Sequence, residues 1–569
     1  MATVATYIPY SELNKGQPST LDQFQKEVGA FAKSRMLHLC SVMNAILRPQ
    51  SQEEFINEPG HNALVKAFFQ PDIAQALLRR GEDVRFVFHR QQILFVAKTS
   101  LLQGTEGGLI PGPDQFRRLG RVFLMAGDHL PALTKIPDPL DDKFAFLAAQ
   151  FLPIQEASGF HRFDHKMARS YMMLSETHPK IRENGDSYFD IPKQFEQITN
   201  VPLLTFQSLL FGSLAKFRQF DSRAYEADPR TNALSKTWFA STRIKTEVVD
   251  RFLELVSGTP ETFKENYTKA DWGTSDFTPF RDRPFFRDGD YLFLIDFAFL
   301  AEKFETAPFW TVHNSLPNKT SKDELHAFWG RVFERYAADV IRESAEPKLN
   351  ALYESPTFVD KRKGQVCDAI IMCGNSAAFI EFKGATFSSR AKYGSDYTLL
   401  KGELDKKLVR EPEGEAKAVY QLKRAIELAC DSVSPAPING MDLSNIRYIF
   451  PVIITRDDIG STFGVNAFLQ VRFEDAFNRK SSAKIITPLF CLDAEDIERL
   501  SSYLKDFAFT DLLDAHYRAN RKRGKYLLNA YFSTPDNEIL KGKELRPPVS
   551  VRPWHKLTKS AADHLGLKP

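Results

Sequence analysis

Two apolar runs meet at a Gly-Asn pair in the segment QVCDAIIMCGNSAAFIEFKG, residues 365–384. No other segment restricts the fold as strongly, because a two-residue Gly-Asn loop between β-type runs predicts a hairpin. With Gly374 and Asn375 as the turn, opposed residues have numbers summing to 749, so Cys373 faces Ser376 and Asp368 faces Glu381. Side chains alternate along a strand, which puts Lys383 on the face of Glu381. The other face carries Cys367, Ala369, Ile371, Ala378, Ile380 and Phe382, an apolar set suited to burial under a helix layer. Directly opposed residues have Cβ atoms roughly 4.5–5.5 Å apart, and like charges there are destabilising. A divalent cation between the carboxylates removes the repulsion. Hard oxygen ligands, with no His or Cys on that face, favour Mg²⁺, with Mn²⁺ able to substitute. Lys383 then stands beside the ion, where the charge of a phosphate would fall.

The [DE]-x-K triplet alone is unspecific and occurs six times in the chain. Asp141/Lys143, Asp164/Lys166, Glu346/Lys348, Asp405/Lys407 and Glu415/Lys417 lie in polar or helical surroundings and read as solvated surface. Only Glu381/Lys383 sits in an apolar strand with a carboxylate facing it. A further carboxylate lies upstream. Ser321-x-x-Glu324 predicts a capping-box start for a helix running to about Arg342, with Trp329, Val332, Phe333, Tyr336, Ala337, Val340 and Ile341 on its apolar arc. At about 100° per residue Glu334 falls at the edge of that arc, as a boundary residue or as a group pointing into a neighbouring site.

A helix glutamate followed by Asp-x(12)-Glu-x-Lys on a hairpin, then an amphipathic helix and further strands, resembles the PD-(D/E)xK nuclease superfamily, the restriction-endonuclease-like fold. The resemblance covers residues 320–506, about a third of the chain. It implies a three-layer α/β/α domain with a mixed central sheet, in which KAVYQLKRAIELA (417–429) is the following helix and RYIFPVIIT and KIITPLFCL extend the sheet. It also implies that Asp368 and Glu381 bind Mg²⁺, that Glu334 completes the metal site, and that Lys383 orients the attacking water or stabilises developing charge. One or two ions per site are both compatible. The sequence departs from the family in having Cys367 where a proline precedes the aspartate. Gln421 is similar to the glutamine of exonuclease-type members, but Ala425 stands where those carry a tyrosine.

Around this segment the 569 residues divide by texture. Residues 1–275 read as mostly helical, with helices expected over Ser19–Met43, Phe116–Ala132 and Lys143–Ile154, and as a recognition, regulatory or assembly region. Residues 276–319 read as a connector: WGTSDFTPFRDRPFFRDGD is loop-like, YLFLIDFAFLAEKF is a strand entering a helix, and TVHNSLPNKTSKDE is a second linker. Residues 507–569 form a helical basic tail. With 43% hydrophobic and 26% charged positions the chain is not a disordered one. A formal net charge of +3 excludes a whole-protein basic field, so nucleic-acid contacts must come from local patches. The candidates are Lys361, Arg362 and Lys363 before the hairpin, Arg390 and Lys392 after it, and Arg521, Lys522 and Arg523 in YRANRKRGKY. Five scattered cysteines read as reduced thiols. The absence of a signal peptide and of a transmembrane run leaves the cytoplasm as the default location, with no membrane partner.

His161-x-x-x-His165 has metal-ligand spacing, but Arg162 takes the place of a zinc-protease glutamate. There is no P-loop, no GxGxxG before a helix and no GxSxG elbow. The expectation is a Mg²⁺-dependent endonuclease acting on DNA phosphodiester bonds, its architecture resembling prokaryotic anti-phage defence effectors. A homo-oligomer, which would bring two sites onto two strands, and a protein partner or activator are both compatible with this. The alternatives are a catalytically silent nucleic-acid-binding or assembly subunit, and an interaction scaffold built on the helical half.

Overall fold

The computed structural model describes residues 6–49, 56–78, 85–130, 140–155, 162–181, 188–218, 233–270, 273–411, 414–477, 482, 484–521, 549 and 551–566. The chain is mixed α/β, a large helical region joined to an α/β unit, and its apolar side chains form three cores.

The first core is built by α1 (Leu21–Gly29), α2 (Lys33–Leu47), α3 (Arg90–Gln103) and α4 (Phe116–Asp128). The single helix expected over Ser19–Met43 is two. Phe31 and Ala32 leave the helical path to bridge Leu109 and Thr105, and Phe31 is fully buried. Helix α3 is buried continuously from Gln91 to Leu101 and so runs through the centre of this core. Helix α4 ends at Asp128; the expected extension to 131–132 lies outside the described residues.

Helices α5 (Leu140–Gln155), α6 (Arg162–Met172) and α7 (Leu203–Phe217) follow. Then comes a four-stranded sheet of β1 (Ala233–Ser235), β2 (Ser257–Gly258), β3 (Phe285–Asp288) and β4 (Tyr291–Leu294), in the order β1-β4-β3-β2. Successive residues of β3 and β4 point to opposite faces, so Phe286 and Phe293 join the first core while Phe285, Leu292 and Leu294 join the second. The segment read as loop therefore holds a short helix, α8 (Thr278–Asp282), and strand β3. Most of the second linker is helical as well. Helix α9 (Phe297–Ser315) starts where Asp296 accepts the backbone N–H groups of Ala298 and Phe299, and only Leu316 to Asn318 separate it from α10 (Lys319–Ser344). The N-cap of α10 is Asn318, which accepts the Ser321 N–H at 2.9 Å. The helix thus begins before the predicted Ser321 box, because Asn is as good a cap as Ser and lies a turn earlier.

The α/β unit has one mixed sheet: β5 (Ala351–Glu354), β6 (Ala369–Cys373), β7 (Ser376–Lys383), β8 (Tyr448–Thr455), β9 (Ile485–Ile486) and β10 (Phe490–Asp493). β5, β6 and β7 form an antiparallel meander, β8 runs parallel to β7, and β9 and β10 both pair parallel with β8. The run KIITPLFCL is split at Pro488, and the proline within β8, Pro451, falls in the gap between the residues that pair with β9 and those that pair with β10. A residue without an N–H is tolerated where no ladder bond is due. Four helices join the third core over one sheet face: α5, α12 (Tyr397–Leu404), α13 (Ala418–Ala429) and α14 (Val465–Ala476), with the short α11 (Ser389–Tyr393) preceding α12. The other face packs, in the second core, on α10, α15 (Ala494–Leu500) and α16 (Phe509–Arg521), and α17 (Val551–Leu565) joins the same core.

The cores cross the expected segment boundaries. Phe144, Ala145, Ala148, Ala149 and Leu152 of α5 lie in the third core with α12 and α14. Leu557 and Leu565 of α17 are buried in the second core, where α17 packs on α6 and α7. All five cysteines are buried and free. Among the described residues no single helix is long and apolar enough to cross a membrane. The bent pair Ile191–Thr199 and Leu203–Phe217 passes by length and composition, but its apolar side chains sit in the second core.

Candidate functional site

The hairpin forms in the expected register. Cys373 pairs with Ser376 and Ala369 with Ile380, and Gly374 takes φ +60° at the first central position of the turn, where a II′ turn calls for glycine. Strand pairing starts at Ala369, so Asp368 stands just off the strand end, its N–H donating to the Ile380 carbonyl at 3.1 Å. Ala369, Ile371, Cys373, Ala378, Ile380 and Phe382 pack together in the second core, while Cys367, expected with them, joins the third. It precedes the first paired residue and escapes the alternation.

Asp368, Glu381 and Lys383 gather where β7 ends. Asp368 Oδ2 accepts the Phe382 N–H at 2.8 Å, and Oδ1 accepts from Gln365 Nε2 at 3.3 Å. Glu381 is 3% exposed and its Oε2 accepts from Lys383 Nζ at 2.7 Å. Burial pushes the Glu381 carboxyl up to about 7; the Lys383 ammonium pulls the other way, and the Asp368 charge pushes further up.

Glu334 reaches the same place from α10. Its carboxyl is also raised to about 7, first by burial and then by the charge of Asp368, with Lys383 and Arg331 opposing. The approach of α10 to β7 depends on two glycines. Gly384 directly follows Lys383, and a Cβ there would sit 2.6 Å from the Cα of Gly330. Gly330 is one helical turn before Glu334, so this contact sets the height of Glu334 above the hairpin. Among the described residues, no three or more His, Cys, Asp or Glu side chains form a ready metal cage. What converges is a pair of carboxylates at the strand end, a third within range of the Asp368 charge, and a lysine bonded to Glu381. The donors are all carboxylate oxygens, hard ligands of the type Mg²⁺ and Mn²⁺ take.

The outlying candidates are scattered. Lys361, Arg362 and Lys363 form one 3₁₀ turn, in which Arg362 is paired with Asp360 at 3.0 Å and the Lys363 carbonyl accepts from Arg424 of α13. Arg390 is exposed on α11. Lys392, expected to face phosphate, is turned inward onto Asp457 at 2.7 Å, because that carboxylate, in the loop after β8, faces α11 and holds the ammonium. Gln421 is half-buried on α13, and its Oε1 lies buried with no hydrogen-bond partner. Arg521 ends α16, on the sheet face opposite α13, so it does not share a stripe with Lys361–Lys363. Lys522 and Arg523 lie outside the described residues, as does His161. His165 faces Glu498 at 3.8 Å.

Two features escaped the sequence reading. Gln365 holds Asp368, and Arg456, just past β8, donates its N–H to the Lys383 carbonyl at 3.0 Å. The Gly330 and Gly384 positions were the only local signal of the close helix–strand approach. No protein-family model matches the sequence, and neither a curated protein nor a solved structure matches it.

Proposed function

We propose that the chain is a metal-dependent nuclease of the PD-(D/E)xK type, hydrolysing DNA phosphodiester bonds at Asp368, Glu381, Lys383 and Glu334. The observation that carries this reading is Glu381: a glutamate 3% exposed, at the end of a central strand, with an aspartate beside it and a lysine on its oxygen. Burying a carboxylate next to another carboxylate costs stability that packing does not recover. A function at this spot accounts for it.

Asp368 and Glu381 would hold a Mg²⁺ or Mn²⁺ ion, with Glu334 as the third carboxylate. Bound there, the ion supplies Lewis-acid charge to the phosphate and acidity to the attacking water. The Phe382 N–H and Gln365 fix the direction of the Asp368 oxygens. Lys383, held by Glu381 in this structure, brings a positive charge to where the phosphorane gains negative charge. The helical half would recognise an activator or assemble copies, the role such a region takes in an anti-phage effector.

The second reading, a silent nucleic-acid-binding subunit, draws on the Glu381–Lys383 ion pair and the lack of a preformed three-ligand group among the described residues. A gel assay separates the two. Wild type and Lys383→Ala are incubated with supercoiled DNA, linear DNA or RNA in Mg²⁺, Mn²⁺ or EDTA. Metal-dependent cleavage that disappears in the variant, with its fold retained, is the expected result. Binding without cleavage by wild type in every lane would refute the nuclease and favour the silent subunit.

A further inference from the structure

The loops that follow β7 and β8 meet α8 and α9 around a cavity of about 150 Å³. Four of the cations lining it are matched by carboxylates: Lys166 by Asp458, Lys392 by Asp457 at 2.7 Å, Arg456 by Glu305 at 2.9 Å and Arg281 by Glu302 at 3.0 Å. The fifth is not. Lys303, on α9, lines the cavity at 9% exposure, and among the described residues no hydrogen bond or ion pair holds its ammonium, the wall carboxylate of Asp282 acting on it only through its charge. Burial lowers its pKa, with the charges of Asp282 and Glu302 opposing. Arg456 adds a second donor, since its Nε is buried with no acceptor while its other nitrogens hold Glu305 and Thr386. Phe309, Trp310, Phe387 and Tyr393 complete the wall.

A nearly buried lysine side chain whose ammonium has no acceptor among the described residues is costly, and an anion of one or two charges removes the cost. A volume of about 150 Å³ suits one compact anionic group or a single ring and is too small for a whole nucleotide. The cavity also adjoins the hairpin: Thr386 and Phe387 closely follow Lys383, and Arg456 donates its N–H to the Lys383 carbonyl. Phosphodiester hydrolysis leaves a phosphate monoester at that end of the sheet.

We propose that this cavity seats the phosphate of a phosphomonoester on Lys303, with Arg456 as the second donor. The choice of phosphate among anions rests on the nuclease reading; the presence of an anion seat does not. The phosphate could belong to a free mononucleotide or to the end of a strand, and the ligands tested tell these apart.

The test is calorimetric binding to the full chain in EDTA, so that no cleavage intervenes. Inorganic phosphate, 5′-dTMP, thymidine, sulfate, and a short duplex with and without a 5′-phosphate are compared. Phosphate and dTMP should bind and thymidine should not, and a strand end is identified as the source by preference for the phosphorylated duplex. Lys303→Met should weaken phosphate binding at least about tenfold (about 1.4 kcal/mol), Lys303→Arg should retain it, and Lys383→Ala should leave it unchanged. Phosphate binding that is absent, that survives Lys303→Met, or that is matched by sulfate overturns the proposal. Absence of cleavage in the gel assay bears on the nuclease alone and leaves the Lys303 result standing.

Discussion

Replacing Glu381 by glutamine should make the protein more stable at pH 8 while removing its metal response. In the folded chain burial moves this carboxyl from 4.5 up to about 7. A raised carboxyl binds its proton more tightly folded than unfolded, so its contribution to stability is fully present below about 4.5 and is lost as pH rises through about 7. A displacement of that size corresponds to roughly 3 kcal/mol by pH 8. The amide resembles the protonated acid in shape, stays neutral at every pH, and can still accept from Lys383. In EDTA, Glu381→Gln should therefore exceed wild type by up to about 3 kcal/mol at pH 8 and match it near pH 5. That is a Tm rise of roughly 2 °C if the chain melts as one unit, and more if the α/β unit melts alone. Adding Mn²⁺ at pH 8 should raise the wild-type Tm and leave the variant unmoved. The assay is thermal melting at pH 5 and pH 8, with and without metal. A variant no more stable than wild type at pH 8, or a difference that ignores pH, would refute the claim that Glu381 is a buried, costly charge.

Gly384→Ala places a Cβ 2.6 Å from the Gly330 Cα, so α10 must shift. A cost of about 1–3 kcal/mol is expected, with cleavage falling as Glu334 is lifted from the hairpin. Gly330→Ala is the matched control, because a Cβ there meets nothing within 4 Å, and thermal melts of the two variants should diverge. Asn350 is 1% exposed and bonds the Leu504 and Phe507 carbonyls and the Phe509 N–H at 2.8, 2.9 and 2.7 Å. Asn350→Ala leaves those groups unmet at about 1–3 kcal/mol each at most, and hydrogen exchange should quicken first at the start of α16.

The hairpin was readable because it is local. Gly374-Asn375 sets the turn, and alternation then fixes Asp368 against Glu381 without reference to the rest of the chain. Glu334 was readable for a similar reason: helical phase alone puts it at the edge of the apolar arc, near Ile341. What failed to be legible depends on partners far away in sequence. Phe31 interrupts the first long helical pattern because Leu109 supplies a backbone bridge, which no window around residue 31 contains. Lys392 looked like a solvent-facing cation after the motif, but Asp457 faces it from the loop after β8. The helix α5 has the pattern of any amphipathic helix, and nothing in that pattern says that it packs with α12 and α14 rather than with its sequence neighbours. Asn318 outcompetes Ser321 as the cap of α10 although both are suitable residues, since helices extend as far as a cap allows.

Helix α17 closes a gap that opened much earlier in the chain. Gly212 of α7 leaves room for Leu565, whose methyl group would be 2.9 Å from a Cβ at that position, and Leu557 and Ala561 are fully buried beside it. During translation α6 and α7 leave the ribosome long before the segment that covers them. Until Leu565 has emerged, the apolar surface beside Gly212 is left uncovered. A chain lacking residues 551–565 would keep the local hairpin sequence but lose the side chains that fill this part of the core the hairpin shares.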